Sequence, residues 1–294
     1  MRTFHHDDFW IDGLLDAKRG RRVSVVLPAR NEAPTIGPIV SAIRKHLVRR
    51  RPLVDEIVVV DDSSTDGTPT RAASAGATVF SADEILPECE PGGGKGDAMW
   101  KSLHVTDGDF VVWCDADVRN FTPVFVAGLL GPLLTSDDIG LVKGFYERPL
   151  DGVRGEGGRV TELVARPIIS LYFPHLAGVA QPLAGEYAGR REVLERVPFV
   201  QGYGVDLGIL IDVVERFGLG VLAQVDLGVR VHRNRPLDEL GPQALAVLHI
   251  ALTRAGVHLP PDLPVLLRPG GSPGTVEVRQ RPPIIEVPAY RATA

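Results

Sequence analysis

The stretch Asp109 to Asp117 constrains this 294-residue chain more than any other: Phe110-Val111-Val112-Trp113 is an unbroken apolar run that stops at Cys114 and two carboxylates, Asp115 and Asp117. A strand exposed on one face alternates polar with apolar residues, so this run reads as a strand buried on both faces. Asp115 and Asp117 then stand at its carboxyl end. Residues two apart in a strand point to one side, so the two acids converge and repel unless something positive lies between them. A hard divalent cation, Mg²⁺ or Mn²⁺, suits such a pair, because it takes oxygen ligands from one or two protein carboxylates and completes its shell with water and substrate phosphates. An acidic turn after a core strand has the same letters, so the pair needs company before it means a site.

That company lies upstream. Val23 to Pro28 reads as another buried strand, followed by the loop Ala29-Arg30-Asn31-Glu32 and a helix from Pro34 with Ile36, Ile39, Val40, Ile43 and Leu47 on one face. Glu56 to Val60 is a strand that runs into the polar stretch Asp61 to Thr68, and Thr70 to Ala75 reads as its helix. Thr78-Val79-Phe80 is a short third strand, and Gly92-Gly93-Gly94-Lys95-Gly96 opens a further helix. Strands alternating with helices require a mostly parallel sheet with right-handed crossovers, and such sheets bind ligands outside the carboxyl ends of their strands. Pro28 to Glu32, Asp61 to Asp66, Lys95 and the Asp115/Asp117 pair all fall on that rim, which points to a nucleotide-binding edge.

Beyond Pro123 a helix over 124–130 and a strand from Ile139 to Tyr146 precede the glycine-rich connector Gly152 to Arg159. It feeds a helix from Val160, whose first turn, beside Gly157, Gly158, Arg159 and Thr161, reads either as an anion site or as a mobile surface loop. Gln181 to Arg190 sets polar groups among small residues, which suggests backbone packed close to a ligand or to another strand. Gly202 to Asp206 opens a helix over 207–217, where Asp206 also serves as an ordinary first-turn acid. Val221 to Val225 and Gly228 to Arg235 read as final strands, with alternation placing Arg230, His232 and Asn234 on one face; His232 is a candidate metal ligand. A helix over 236–257 follows, and the proline-rich tail from Pro260 reads as an extended or partly disordered arm. At the other end, Trp10, Ile11, Leu14 and Leu15 suggest a short leading helix within residues 1–22.

Composition narrows the partners. With 32 Lys and Arg against 37 Asp and Glu the net charge is −5, so bulk nucleic-acid binding is disfavoured and an anionic ligand must meet a local basic cluster. Two cysteines, Cys89 and Cys114, cannot make a disulfide framework. No run reaches the roughly 18 apolar residues of a membrane helix, and the first residues lack the apolar core of a secretory signal, so a cytosolic protein without an integral membrane segment is expected.

Taken together, Val25 to Glu32, Asp61 to Asp66, Gly94-Lys95-Gly96, Asp115-Ala116-Asp117, Gly157 to Pro167, Gly185-Glu186-Tyr187-Ala188, Gly202 to Val205 and Val231 to Leu237 resemble the GT-A glycosyltransferases, and more closely the glucosyl-3-phosphoglycerate synthases of actinobacteria. The segments from 157 and from 228 are the most specific. The resemblance implies a Rossmann-like α/β fold, mostly parallel with flanking helices. It divides the chain into a leading segment (1–22), a transferase domain (23–235, with a nucleotide-sugar half over 23–122 and an acceptor half over 123–235) and a helical and extended C-terminal part (236–294). It implies retaining transfer of glucose from a nucleotide diphosphate sugar, UDP-glucose foremost, to the 2-hydroxyl of 3-phosphoglycerate by a homodimer. Pro28, Ala29, Arg30, Glu32, Asp62, Lys95, Asp115 and Ala116 would bind the donor. Gly158, Arg159, Thr161, Tyr203, Arg230 and Asn234 would bind the acceptor, and Asp117 with His232 would hold Mg²⁺ or Mn²⁺. Asp117, His232, Lys95 and Asp206 would carry catalysis. Double displacement with Glu186 or Asp206 as nucleophile, a GDP-mannose-using relative, a nucleotidyltransferase and a non-catalytic sugar-nucleotide sensor are the alternatives.

Overall fold

The computed structural model describes residues 1–148, 158–231, 236–262, 264–270 and 274–291. Its strands are β1 (Arg2–His5), β2 (Val23–Ala29), β3 (Glu56–Asp61), β4 (Thr78–Ser81), β5 (Phe110–Trp113), β6 (Leu141–Glu147), β7 (Tyr187–Arg190), β8 (Phe199–Val200), β9 (Leu222–Val229), β10 (Val265–Leu266), β11 (Gly274–Thr275) and β12 (Gln280–Arg281). Its main helices are α1 (Ile11–Lys18), α2 (Ile36–Ile43), α3 (Thr68–Ala75), α4 (Gly94–Ser102), α5 (Val124–Thr135), α6 (Arg166–Tyr172), α7 (Arg191–Leu194), α8 (Val205–Phe217), α9 (Leu237–Arg254) and α10 (Pro288–Arg291). Eight strands form one sheet in the order β1-β9-β6-β7-β5-β2-β3-β4. Every pairing in it is parallel except those of β7, which runs against both β5 and β6.

The continuous apolar runs do what two-sided burial requires. Val25, Leu27, Phe110 and Val112 join the core on one face of the sheet, while Val26, Val111 and Trp113 join the core on the other. Helix α2 packs its Ile36, Ile39, Val40 and Ile43 onto the first of these cores and continues through Arg44–Arg50 in π-helical turns.

Three stretches differ from the sequence reading, and a fourth settles an alternative that it left open. Residues before α1 form β1, an edge strand beside β9. Its polar, exposed composition hides it, since edge strands need no apolar alternation. Of the two meanings open for Gln181 to Arg190, the second strand is the one observed, as β7. The two separate strands expected after Val221 are one strand, β9, ending at Val229; residues 232–235 lie outside the described residues. The proline-rich tail is extended, yet it is no arm. Its β12 pairs with β8, the Trp100 indole N–H donates to Pro282 O at 2.8 Å, and Ile284, Val287 and Tyr290 are buried in the same core as Trp113.

The tail is locked by charge as well as by packing. Asp97, on α4, is 1% exposed and lies 2.6 Å from Arg281 Nε and 3.1 Å from Lys101 Nζ. Removing the acid leaves two cations buried without it, so Asp97→Ala should destabilise the fold by about 3–5 kcal/mol. Urea denaturation measures this, and a loss no larger than that of a surface substitution would reject the lock.

Lys143, on β6, carries an opposite case: a buried ammonium that donates to Ala184 O at 2.7 Å and lies 4.1 Å from the centre of the Tyr187 ring. Burial pulls its pKa down to about 8. The unfolded chain therefore keeps a proton that the folded chain has shed between pH 8 and the ordinary lysine value, and stability from this group rises with pH across that window. Lys143→Met should flatten that rise by up to about 1.4 kcal/mol per pH unit relative to wild type. Parallel pH profiles for the two proteins would discredit the shift.

Candidate active site

The carboxyl rim is assembled from loops that hold one another. Asn31 takes the left-handed conformation, with φ 57°, and its backbone N–H donates to Ser64 Oγ at 2.9 Å while its side chain accepts from the Thr65 N–H at 2.8 Å. Asp66 accepts from the N–H groups of Ala33 and Thr68 at 3.1 and 2.9 Å, and Glu32 N–H donates to Thr68 Oγ1 at 2.8 Å. Asp66 is thus a clasp between the loops after β2 and β3. Asp62 takes the Gly94 N–H at 3.1 Å and lies 3.5 Å from Arg30 Nη1, which joins the start of α4 to the same edge.

Above these loops opens a cavity of about 610 Å³. Pro28, Ala29, Arg30, Glu32 and Asp62 line one end, and Lys95, Asp115, Ala116, Asp117 and Asp206 line its middle. Gly158, Arg159, Thr161, Tyr203 and Arg230 line it as well. Every described residue expected from the sequence to touch donor, metal or acceptor therefore borders one space. His232 and Asn234 lie outside the described residues. Sequence reading missed Arg148 and the wall that α9 supplies through Leu240, Gln243 and Val247. Arg148 had a signal, being a cation directly past a strand end; a helix after the transferase segment gave none.

Charges at the centre alternate. Lys95 Nζ lies 2.9 Å from Asp115 Oδ1 and 3.0 Å from Asp206 Oδ1. Burial alone would strip the Lys95 ammonium of its proton, but Asp115 and Asp206 outweigh it and hold its pKa well above the ordinary value. Arg230, 3% exposed, sets Nη2 2.8 Å from both Asp115 Oδ2 and Asp117 Oδ1. Its Nε lies 3.1 Å from Glu186 Oε1. Burial works to raise the Asp115 pKa, yet Lys95 and Arg230 hold it well below the usual carboxylate range. The positive group between the two acids is thus, in this structure, a guanidinium.

Glu186 is fully buried, is not among the residues lining the cavity, and has its pKa raised by burial against the pull of Arg230. A nucleophile must reach the sugar, and Glu186 stands behind Arg230 instead. The Asp117 loop is fixed to the end of β9: Arg119 N–H donates to Val231 O at 2.9 Å, Asn120 Nδ2 donates to Val229 O at 2.7 Å, and Val231 N–H donates to Asn120 Oδ1 at 2.8 Å. Hard carboxylate oxygens on a cavity wall, with the chain toward residue 232 leaving beside them, suit Mg²⁺ or Mn²⁺.

Fold and rim together define a glycosyltransferase of the GT-A type. The chain matches the description "Glycosyl transferase family 2" over residues 24–196. It is 52% identical to the glucosyl-3-phosphoglycerate synthase of Mycolicibacterium smegmatis, covering 87% of this chain and 84% of that protein. With the enzyme of the same name from Petrotoga mobilis it shares 42% identity, over 99% of this chain and 95% of the other. The crystal structure of the Mycobacterium tuberculosis glucosyl-3-phosphoglycerate synthase with Mn²⁺, UDP-glucose and phosphoglyceric acid superposes with a TM-score of 0.87 at 46% identity, covering 97% of this chain and 98% of that one. The chain belongs to glycosyl transferase family 2 and, within it, to the glucosyl-3-phosphoglycerate synthases.

Asp115 has room only because residue 185 is glycine: a Cβ there would stand 2.1 Å from Asp115 Oδ2 and 2.4 Å from its Cγ. The carboxylate is gripped by Lys95 and Arg230 and cannot swing aside without breaking one of them. Gly185→Ala should therefore cost about 10–100-fold in kcat/KM, a loss of roughly one to two charge-assisted contacts, while the melting temperature moves little. Unchanged kinetics would show that the Asp115 position does not matter.

Proposed function

We propose that the protein transfers glucose from UDP-glucose to the 2-hydroxyl of 3-phosphoglycerate with the α configuration retained. The observation that carries this reading is the single cavity that gathers the expected donor, metal and acceptor residues. The loops after β2 and β3 receive the nucleoside, and Lys95 and Arg30 face the donor's charged part. Gly158, Arg159 and Thr161 receive the acceptor, with Arg159 and Thr161 in the first turn of a helix whose first N–H groups favour an oxyanion. Asp117, with His232, would hold the divalent cation, which when bound neutralises charge on the departing diphosphate.

The chain's own residues orient and exclude. Lys95 spans Asp115 and Asp206, so the donor meets an ammonium already fixed in place and pays little to organise it. Asp206 lines the cavity but its carboxylate is engaged by Lys95 through both oxygens, at 3.0 and 3.3 Å. With Glu186 buried and Asp206 so held, transfer without a covalent glycosyl-enzyme is favoured, the acceptor proton passing to the leaving phosphate oxygen. Holding both substrates in one pocket supplies an orientational contribution of up to about 7–11 kcal/mol.

We propose a cytosolic homodimer as its working form. Leu163, Leu171 and Tyr172, on one helical stretch, are exposed by 73%, 75% and 45%, and apolar surface of that kind marks association. No helix among the described residues is long and apolar enough to cross a membrane.

A donor panel of UDP-, GDP- and ADP-sugars with 3-phosphoglycerate, read as nucleotide release, tests the reaction. UDP-glucose should dominate. Excess chelator should abolish transfer, Mn²⁺ or Mg²⁺ should restore it, and Asp117→Asn should lower kcat by about 100-fold or more. Undiminished activity in chelator would sink the metal role.

A further inference from the structure

Arg148 and Arg230 each stand one residue beyond the ends of neighbouring parallel strands, β6 and β9, and a bulge aligns them. Phe145 pairs with Asp226 and Glu147 with Val229, so two steps on β6 match three on β9. The extra residue falls at Gly228, which has φ 82° and donates its N–H to Asp226 Oδ1 at 2.8 Å. A one-residue shift in a strand flips every later side chain to the other face. Without it Arg230 would share the face of Phe145 and Glu147; with it Arg230 takes the face of Tyr146 and Arg148. The contacts agree.

The Tyr146 hydroxyl is the hub of that face. It donates to Glu186 Oε2 and accepts from Arg148 Nη2 at 2.7 Å and from Arg230 Nη1 at 3.3 Å. Both guanidinium carbons lie over its ring, at 4.8 Å for Arg148 and 5.3 Å for Arg230. Two cations held this close repel each other, and Glu186 with the ring face offsets that repulsion. Arg230 spends its charge on three carboxylates. Arg148 differs: among the described residues it makes no ion pair, donates to the Tyr146 hydroxyl and lies over its ring, feels Asp115 and Glu186 only at longer range, and lines the cavity.

A guanidinium presented to a cavity with donors to spare is a site for a planar or tetrahedral oxyanion. In the sheet order β6 is three strands from β2, roughly 14 Å at the usual strand spacing, so Arg148 lies away from the nucleoside loops. We propose that Arg148 binds an oxyanion of the acceptor, and that Tyr146 with Glu186 is the positioning unit that sets it beside Arg230. This rests on the reaction proposed above.

The experiment uses the full chain with Mn²⁺: steady-state kinetics for 3-phosphoglycerate, and calorimetry with UDP for the donor side. Arg148→Gln should raise the KM for 3-phosphoglycerate about 10–100-fold and leave UDP affinity within about threefold. Arg148→Lys should recover only part, since a point charge does not reproduce the fork. Tyr146→Phe should raise the same KM by itself and add nothing in the Arg148→Gln background, a coupling that general loosening of the fold does not produce. Arg148 is half-buried, and thermal melts check that its variants fold. An unchanged KM, or a UDP affinity that falls as much as acceptor efficiency, overturns the assignment of Arg148; additive effects of the two substitutions overturn the role of Tyr146. A wild type that turns over no 3-phosphoglycerate overturns both this inference and the proposed function, whereas a wild type that does, with Arg148→Gln kinetics unaltered, overturns only the inference.

Discussion

Arg230 brings a nearly water-free guanidinium within 2.8 Å of Asp115 and Asp117 and 3.1 Å of Glu186, and the desolvation of those charges is what the surrounding structure must offset. A buried ion pair gains only when its geometry is good and its remaining polar atoms are met. Three acids on one cation leave the centre negative, and Lys95, joining Asp115 to Asp206, adds a second cation and a fourth acid, so the array remains an acceptor of positive charge. The array draws on the ends of β5 and β9, the start of β7 and the first turns of α4 and α8. Breaking one pair therefore disturbs the placement of five elements, which is why a glycine at 185 and a bulge at 228, neither of which carries any chemistry, bear on the site.

The reversed strand β7 explains how Glu186 comes to be at that centre. In a parallel sheet the residue preceding a strand lies at the rim opposite to the ligand. Because β7 runs against β5 and β6, with Tyr187 opposite Trp113 and Lys143, its beginning lies at the carboxyl ends of its neighbours. Glu186 thereby reaches the level of Asp115 and Arg230 from behind. Gly189 in this strand packs against Leu194 of α7, and a Cβ there would stand 2.8 Å from the Leu194 side chain.

How much of this was readable follows from which physical rule each element obeys. Strands β2, β3 and β5 are buried on both faces, and their apolar runs announce them; so do the polar loops that follow, because a parallel sheet puts every such loop on one rim. β1 obeys no such rule, since an edge strand with polar side chains has no pattern to show. Prolines argue against regular structure, so the tail reads as an extended or partly disordered arm, yet its anchoring depends on Arg281 and Asp97, 184 residues apart in the chain, a contact no local pattern encodes. For the site, Asp115 and Asp117 do converge, on Arg230, but from the loop and turn beyond β5 rather than by the strand spacing that suggested it. The identity of the group between them was not legible, because a nearby arginine and a metal satisfy the same repulsion. The strand expected over 228–235 ends at Val229, one residue before Arg230, and alternation could not relate Arg230 to Tyr146, since the relation turns on a bulge.

The order of strands assigns the work along the rim. In the proposed reaction the loops after β3 and β2 would receive the nucleoside; the acids follow β5, and the arginines follow β6 and β9, with β7 between acids and arginines. A transfer reaction needs the leaving group, the reacting carbon and the acceptor in that same sequence, with opposite charges facing each joint. Two negatively charged substrates must also be brought together, and their mutual repulsion is strongest where water is excluded. Cations distributed at both ends of the cavity, with fixed carboxylates between them, lower that repulsion without releasing a free positive charge at the centre that would bind phosphate unproductively. The buried Arg230, already satisfied by acids, is therefore better suited to the middle of the rim than a solvent-facing lysine, and the less encumbered Arg148 to its far end.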